Sequence, residues 1–287
     1  MGNTTVNINN TEYHIQSKIN RGIQGDVYNA VNLKTDETIV LKKIYLRTPE
    51  KYKHFSIETE AILEIQPWNH PFLVNYFHFC KKDDYGLIAM EKYDCDLFDF
   101  ISKRKHRILE EQGRSIFRKI CIGLNTMHSC GIAHLDIKPE NIMYDIEKNI
   151  PYIGNFGCCY NFQENRKCSS IRGTKLYSPP EYTKGKSFDP RKSDIYSLGV
   201  TLHILLTGCY PYNVIADVGK RKVILDSSLS DDCKHLLERM LRDNPKKRIS
   251  LNEVMKHPWL TNIKKESKLH KVKQSITKHG RMLGVTN

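Results

Sequence analysis

The spacing of apolar residues changes character along this chain, and that change limits the folds open to it. Residues 11–47 read as strands: Val27, Ala30, Val31 and Leu33 precede a "KTDE" turn, and the β-rich run "TIVLKKIYL" follows it. Over residues 50–66 the spacing becomes helical, with Phe55, Glu58, Ile62 and Ile65 on one face. "FLVNYFHF" and "YGLIAMEKY" return to strand. Helices dominate thereafter, over Asp96 to Ile101 and then Glu110 to Cys130. A sheet-rich half with one helix, followed by a helix-rich half, predicts an α+β chain of two lobes with a cleft between them. Within the helical half, Ile195 to Ala216 carries no Asp, Glu, Lys or Arg. Turn residues end its apolar run near Thr207, so it predicts a buried helix of about 13 residues rather than a membrane span, which needs about 20.

Among the 287 residues, Lys and Arg number 45 and Asp and Glu 32, an excess of 13 positive charges. Such a surplus favours acidic partners without choosing among them. Direct nucleic-acid recognition would need aromatic interleaving or a known binding fold, and neither is visible, so no dedicated nucleic-acid role is expected. The nine cysteines include no CxxC pair and no His/Cys cluster at metal-ligand spacing, which predicts reduced thiols in a cytosolic or nuclear protein. "MGNTTVNINN" lacks the apolar run of a secretory signal, and Val6 departs from a myristoylation pattern at Gly2.

The chemistry concentrates in "HLDIKPEN", His134 to Asn141, which puts a carboxylate, an amine and an amide within six residues. Phosphoryl transfer needs an acceptor for the incoming hydroxyl's proton, a cation near the moving phosphoryl group and an oxygen ligand for Mg²⁺; Asp136, Lys138 and Asn141 could fill these roles in that order. Upstream, "NRGIQGDVY" is a glycine turn between strands in which Gly22 and Gly25 would let backbone amides approach phosphate oxygens. "IVLKK" puts Lys42 on the next strand, where it could reach across the cleft or lie in solvent. "YIGNFGCC", "GTKLYSPPE", "SDIYSLGV", "NPKKRIS" and "HPWL" follow in order.

With these landmarks in sequence, residues 13–260 resemble the catalytic domain of eukaryotic-type protein kinases. The family pattern H-R-D-L-x-x-x-N maps onto His134-Leu135-Asp136-Ile137 through Asn141. Lys138 and Thr174 resemble the serine/threonine branch, and "HLDIKPEN" with "SPPE" and "HPWL" is most similar to its calmodulin-dependent group. The resemblance implies a small lobe over 13–91, a hinge at 91–96, a large lobe over 97–261, and ATP and Mg²⁺ as cofactors. It implies a catalytic set of Asp136, Lys138 and Thr174. Lys42 would hold the α and β phosphates and pair with a helix glutamate; Glu58 shares a stripe with Ala61, Ile62 and Ile65, so Glu58 is chosen over Glu60. Met90 would be the gatekeeper, Glu91 to Tyr93 the hinge contact, Asp96 the ribose contact, and Val27 and Met143 the walls about adenine. Asn141 and Asn155 would hold the metal. Glu181 and Arg248 would form a buried ion pair. The implied partner is a protein substrate, with Glu140 and Asp96 placed to read basic residues near its acceptor.

Four positions depart from the pattern. Asn20 stands at the first glycine of G-x-G-x-x-G. Val40 stands for the alanine of V-A-I-K and narrows the adenine roof. Leu135 replaces the arginine that answers a loop phosphate, so phosphorylation of Ser169 or Ser170 should matter less. Asn155 stands where D-F-G supplies the aspartate that grips Mg²⁺, a hard cation that prefers charged oxygens. Two readings follow: a slow but active kinase, or a pseudokinase that binds nucleotide and acts by docking. After Leu260 comes a basic tail with seven Lys/Arg and one Glu over residues 262–287. Leu269, Val272, Ile276 and Leu283 fall near one helical face there, which suits an acidic partner groove or a solvated tail.

Overall fold

The computed structural model describes residues 4–21, 25–104, 108–163, 165–184 and 187–261. Gly22, part of the basic run Ser102 to Arg107, and the tail from residue 262 lie outside the described residues.

Strands β1 (Thr4–Ile8), β2 (Thr11–Arg21), β3 (Asp26–Asn32), β4 (Thr38–Tyr45), β5 (Tyr76–Lys81) and β6 (Tyr85–Glu91) form an antiparallel sheet in the order β1-β2-β3-β4-β6-β5. β1 was not anticipated. It pairs Ile8 with Thr11 across a two-residue loop, Asn9-Asn10, whose φ angles of 48° and 65° are those of a type I′ hairpin turn. The clues were the Val6/Ile8 alternation and the two asparagines.

Strand alternation sets what each face does. Ile39 and Leu41 of β4 join Ile8, Tyr13, Ala30, Leu87 and Ala89 in a core on one face. Val40, Lys42 and Ile44 point to the other face, where Ile44 packs with helix α1 (Pro49–Ile65). Thr48 caps α1 by accepting the Lys51 N–H, and Pro49 fits its first turn. The helix buries Phe55, Glu58, Ala61, Ile62 and Ile65, the stripe expected from spacing.

The chain then passes through β7 (Cys95–Asp96) into α2 (Leu97–Lys103), α3 (Glu110–Ser129), β8 (Ile132–Ala133), β9 (Ile142–Asp145), β10 (Ile150–Ile153) and β11 (Tyr160–Asn161). β7, β9 and β10 make a three-stranded sheet beneath the junction, and β8 pairs with β11. Helices α4 (Pro190–Thr207), α5 (Asp231–Met240), α6 (Leu251–Met255) and α7 (Pro258–Thr261) complete the helical part. α4 is buried on all sides and ends at Gly208, as its uncharged run predicts, but it starts at Pro190, before Ser193. The earlier start comes from Asp189, whose carboxylate accepts the Arg191 N–H, with proline at the first helical position. Asp189→Ala should therefore lower the unfolding free energy by about 1 kcal/mol. A urea midpoint equal to the parent's would show that the cap contributes nothing. Trp259 of the "HPWL" segment is 1% exposed, lies edge-on to Phe117 and donates its indole N–H to Glu110 at 2.8 Å. No helix among the described residues is long and apolar enough to cross a membrane.

Candidate active site

The face of β4 that carries Val40 and Ile44 also carries Lys42, so Lys42 points between the sheet and α1. Its Nζ lies 2.9 and 2.8 Å from the two carboxylate oxygens of Glu58, which is 1% exposed. Glu60, two residues on, turns outward and accepts the Ser56 hydroxyl. One turn before Glu58, His54 Nδ1 lies 2.7 Å from the Gly157 carbonyl and ties α1 to the loop that carries Asn155. The i, i+4 relation of His54 to Glu58 was the available signal for that contact.

Between β8 and β9 the loop of His134 to Asn141 is held from beneath. Asp194 in α4 accepts the backbone N–H groups of His134 at 2.9 Å and Leu135 at 2.7 Å, an anchoring role rather than a chemical one. His134 Nδ1 accepts the Asp136 N–H, so its Nε2 carries the proton and donates to the Gly154 carbonyl at 3.0 Å. Phe156 lies edge-on to that imidazole and against Tyr76, whose hydroxyl accepts the Asn155 N–H at 3.0 Å. Sequence reading took Tyr76 only as a strand residue. Its hydroxyl is used because Asn155 sits in the left-handed region, with φ 60° and ψ 68°, and turns its amide toward β5.

Asp136 is fixed at both oxygens. Oδ1 accepts the Thr174 N–H at 2.8 Å; Oδ2 accepts Asn141 Nδ2 at 2.8 Å and lies 3.4 Å from Lys138 Nζ. Lys138 Nζ donates to the Thr174 hydroxyl at 2.7 Å. Gly173 makes this approach feasible: its φ is +82°, and a Cβ there would lie 2.1 Å from the Leu135 carbonyl oxygen. Leu135 itself packs with Ala133, Cys168, Tyr182 and Phe188. Cys168 and Phe188 pair backbone to backbone, and Arg172 donates to the Cys159 carbonyl. Apolar packing thus holds this segment at the position where the family pattern has an arginine.

Asn155 connects the two halves. Its Oδ1 accepts from Lys42 Nζ at 3.2 Å and its Nδ2 donates to Asn141 Oδ1 at 2.8 Å. Both amide oxygens expected to hold Mg²⁺ are therefore engaged, one by an ammonium and one by an amide. The described residues contain no group of three or more His, Cys, Asp or Glu placed to hold a metal ion. Two neutral oxygens already hydrogen-bonded, one of them beside a fixed positive charge, do not fit a hard divalent cation.

The residues expected around a nucleotide lie along the same junction. Val40 pairs with Met90 and Val27 with Lys42 across adjacent strands. Asp96 pairs with Met143 in the sheet beneath. Asp96 also caps α2, accepting the Asp99 N–H at 2.8 Å, and burial raises its carboxyl above the ordinary range. The Tyr93 hydroxyl donates to Glu91 at 3.2 Å and its ring packs on Tyr152, so the Tyr93 side chain serves the hinge itself. Asn20 lies in β2 opposite Val27. Gly25 is required by the sheet: a Cβ there would lie 2.0 Å from the Lys43 carbonyl oxygen. Burial pushes the Cys158 thiol up to about 11 and holds that of its neighbour Cys159 well above the ordinary thiol value, which removes both from thiolate chemistry near neutral pH.

In the helical part, Arg248 meets both oxygens of Glu181 at 2.7 and 2.8 Å with its side chain fully buried. Arg221 was missed by sequence reading. It stacks on Tyr212 and donates to the carbonyls of Lys175 and Ser178, just past Thr174. Nothing in its local sequence separates it from the neighbouring Lys220 and Lys222.

Residues 13–260 match the protein kinase domain. Human SNF-related serine/threonine-protein kinase is 29% identical over 262 residues, covering 88% of this chain and 34% of that protein. CBL-interacting protein kinase 10 of rice is 30% identical over 267 residues, covering 88% of this chain and 58% of that protein. The SNF1-related protein kinase catalytic subunit alpha KIN12 of Arabidopsis thaliana is 29% identical, covering 87% and 51%. This chain thus spans less than two thirds of the length of each. A sheet with one helix, a helical part behind it and a polar network at their junction is the architecture these relatives' shared domain implies, and the chain belongs to the protein kinase family, in its serine/threonine branch.

Proposed function

We propose that this chain transfers the terminal phosphoryl group of ATP to serine or threonine hydroxyls of a protein substrate, at a reduced rate. The observation that carries the proposal is the fixed orientation of Asp136. Its carboxylate takes one backbone N–H and one side-chain amide, which leaves further lone pairs to accept the proton of an incoming hydroxyl. Lys138, 3.4 Å from it, neutralises charge on the moving phosphoryl group and is aimed by Thr174. Lys42, steadied by Glu58, faces the phosphates, with Asn20 and Gly25 at the turn above. Val27, Val40, Met90 and Met143 enclose the base, the Glu91–Tyr93 backbone meets its edge, and Asp96 meets the ribose. Burial, and after it the charges of Asp99 and Glu140, raise the Asp96 carboxyl, and the acidic pair Asp96 and Glu140 suits a basic residue in the substrate.

The contact between Asn141 and Asn155 favours a second reading, a nucleotide-binding docking module, because it satisfies the position where catalysis in this family draws on a metal. Labelled ATP presented with an array of serine and threonine peptides tests both. Incorporation that prefers peptides with arginine upstream, and that Lys42→Met abolishes, is expected. An array without arginine preference removes the basic-substrate part. No incorporation by the native chain, with clear gain in Asn155→Asp, leaves the docking module.

A further inference from the structure

We infer that the nucleotide site of this chain takes its phosphates without a divalent cation, the Asn155 amide making the junction that a cation would otherwise have to make. The inference rests on the nucleotide-binding part of the proposed function and adds a mode of binding to it.

The polarity of each link is forced. Lys42 Nζ can only donate, so the group of Asn155 that faces it, at 3.2 Å, is the oxygen. Asn155 Nδ2 therefore faces Asn141, 2.8 Å from Oδ1. Asn141 Nδ2 in turn faces the Asp136 carbonyl at 2.7 Å and Oδ2 at 2.8 Å, both acceptors only. From Glu58 through Lys42, Asn155 and Asn141 to Asp136, every contact joins a donor to an acceptor, and both ends of the chain are carboxylates.

An aspartate at position 155 could not sit in this chain. Its second oxygen and Asn141 Oδ1 would be two acceptors face to face at hydrogen-bonding distance, an arrangement stable only with a cation between them or with the loops drawn apart. Asparagine supplies an N–H at that point. A cation approaching the native pair must break the amide contact, and at the Asn155 oxygen it meets the Lys42 ammonium as well. The second N–H on Asn155 Nδ2 has no partner among the described residues, and Asn155 is only half-buried, so it can donate to a phosphate oxygen. With Lys42 and Lys138 on either side, the site offers two ammonium groups and one amide N–H to a polyphosphate.

Titration of the full chain with a fluorescent ATP analogue, in excess Mg²⁺ and again in excess EDTA, tests this. The expected affinities differ by less than the roughly 10–100-fold that separates loaded from impaired metal sites. In Asn155→Asp the same pair of titrations should separate by at least about tenfold in favour of Mg²⁺. Binding by the native chain only in Mg²⁺ overturns the inference and leaves the proposed function standing. Binding in neither buffer overturns both. Equal indifference to Mg²⁺ in the native chain and the variant overturns the role given to Asn155. The native titrations decide the mode of binding even if the variant folds poorly.

Discussion

Asp136→Asn abolishes measurable phosphoryl transfer, with an expected loss of about 10²–10⁴-fold, while nucleotide affinity changes little. The asparagine keeps the shape of the side chain but cannot accept a proton from the incoming hydroxyl. It also cannot satisfy both present donors, because the Thr174 N–H and Asn141 Nδ2 each need an acceptor and the new amide offers one oxygen. A modest fall in melting temperature should accompany the loss. Transfer to a peptide, measured beside binding of a fluorescent nucleotide, separates the two effects. A variant that transfers phosphate within a few-fold of the parent would remove Asp136 from the reaction.

Arg248→Met has the largest expected effect on stability. The guanidinium is fully buried, meets both oxygens of Glu181 and donates to the Lys192 and Arg242 carbonyls. Truncating it strands the Glu181 carboxylate and these carbonyls away from water, a loss of about 3–5 kcal/mol. For a chain of this size the melting temperature should fall by on the order of 10 °C. Pairing it with Glu181→Leu should recover much of the loss, since an uncharged pair strands no ion. An unchanged melting curve for the single variant would show that the ion pair is not what joins the segment after Thr174 to the helical part.

The two variants probe different levels of the same arrangement. Asp136 lies in a loop whose backbone is held by Asp194 from α4, and α4 is held in place by Arg248, which donates to the Lys192 carbonyl and lies over the ring of Tyr196, 5.0 Å from its centroid. The chemistry is thus carried by a short loop, and its position by the buried helix beneath it. That division explains why the loop was easy to find in the sequence and most of its surroundings were not: His134 to Asn141 is contiguous, whereas Tyr76, His54 and Arg221 come from three separate segments.

Of the residues proposed to hold nucleotide, Lys42 was legible through the family pattern, and Glu58 through that pattern together with the helical spacing that separates it from Glu60. Strand alternation puts Lys42 with Val40 and Ile44, and helical spacing puts Glu58 with Ile62 and Ile65. Asn20, Met90 and Met143 were legible only through the family pattern, and Gly25 also through its glycine turn. The tighter requirement at Gly25, the approach of the Lys43 carbonyl, comes from a neighbouring strand and leaves no trace in the local sequence.

Sequence by itself determined the class of fold, the order of the landmarks and the identity of the group at position 155, because hydrophobic period and residue chemistry are local properties. Only the tertiary structure decided what Asn155 does: whether its amide meets a lysine, another amide or open solvent depends on four segments converging, at residues 42, 58, 141 and 155. A hydrogen bond is a matter of which donor faces which acceptor within about 3 Å, and the chain order of the residues does not fix that.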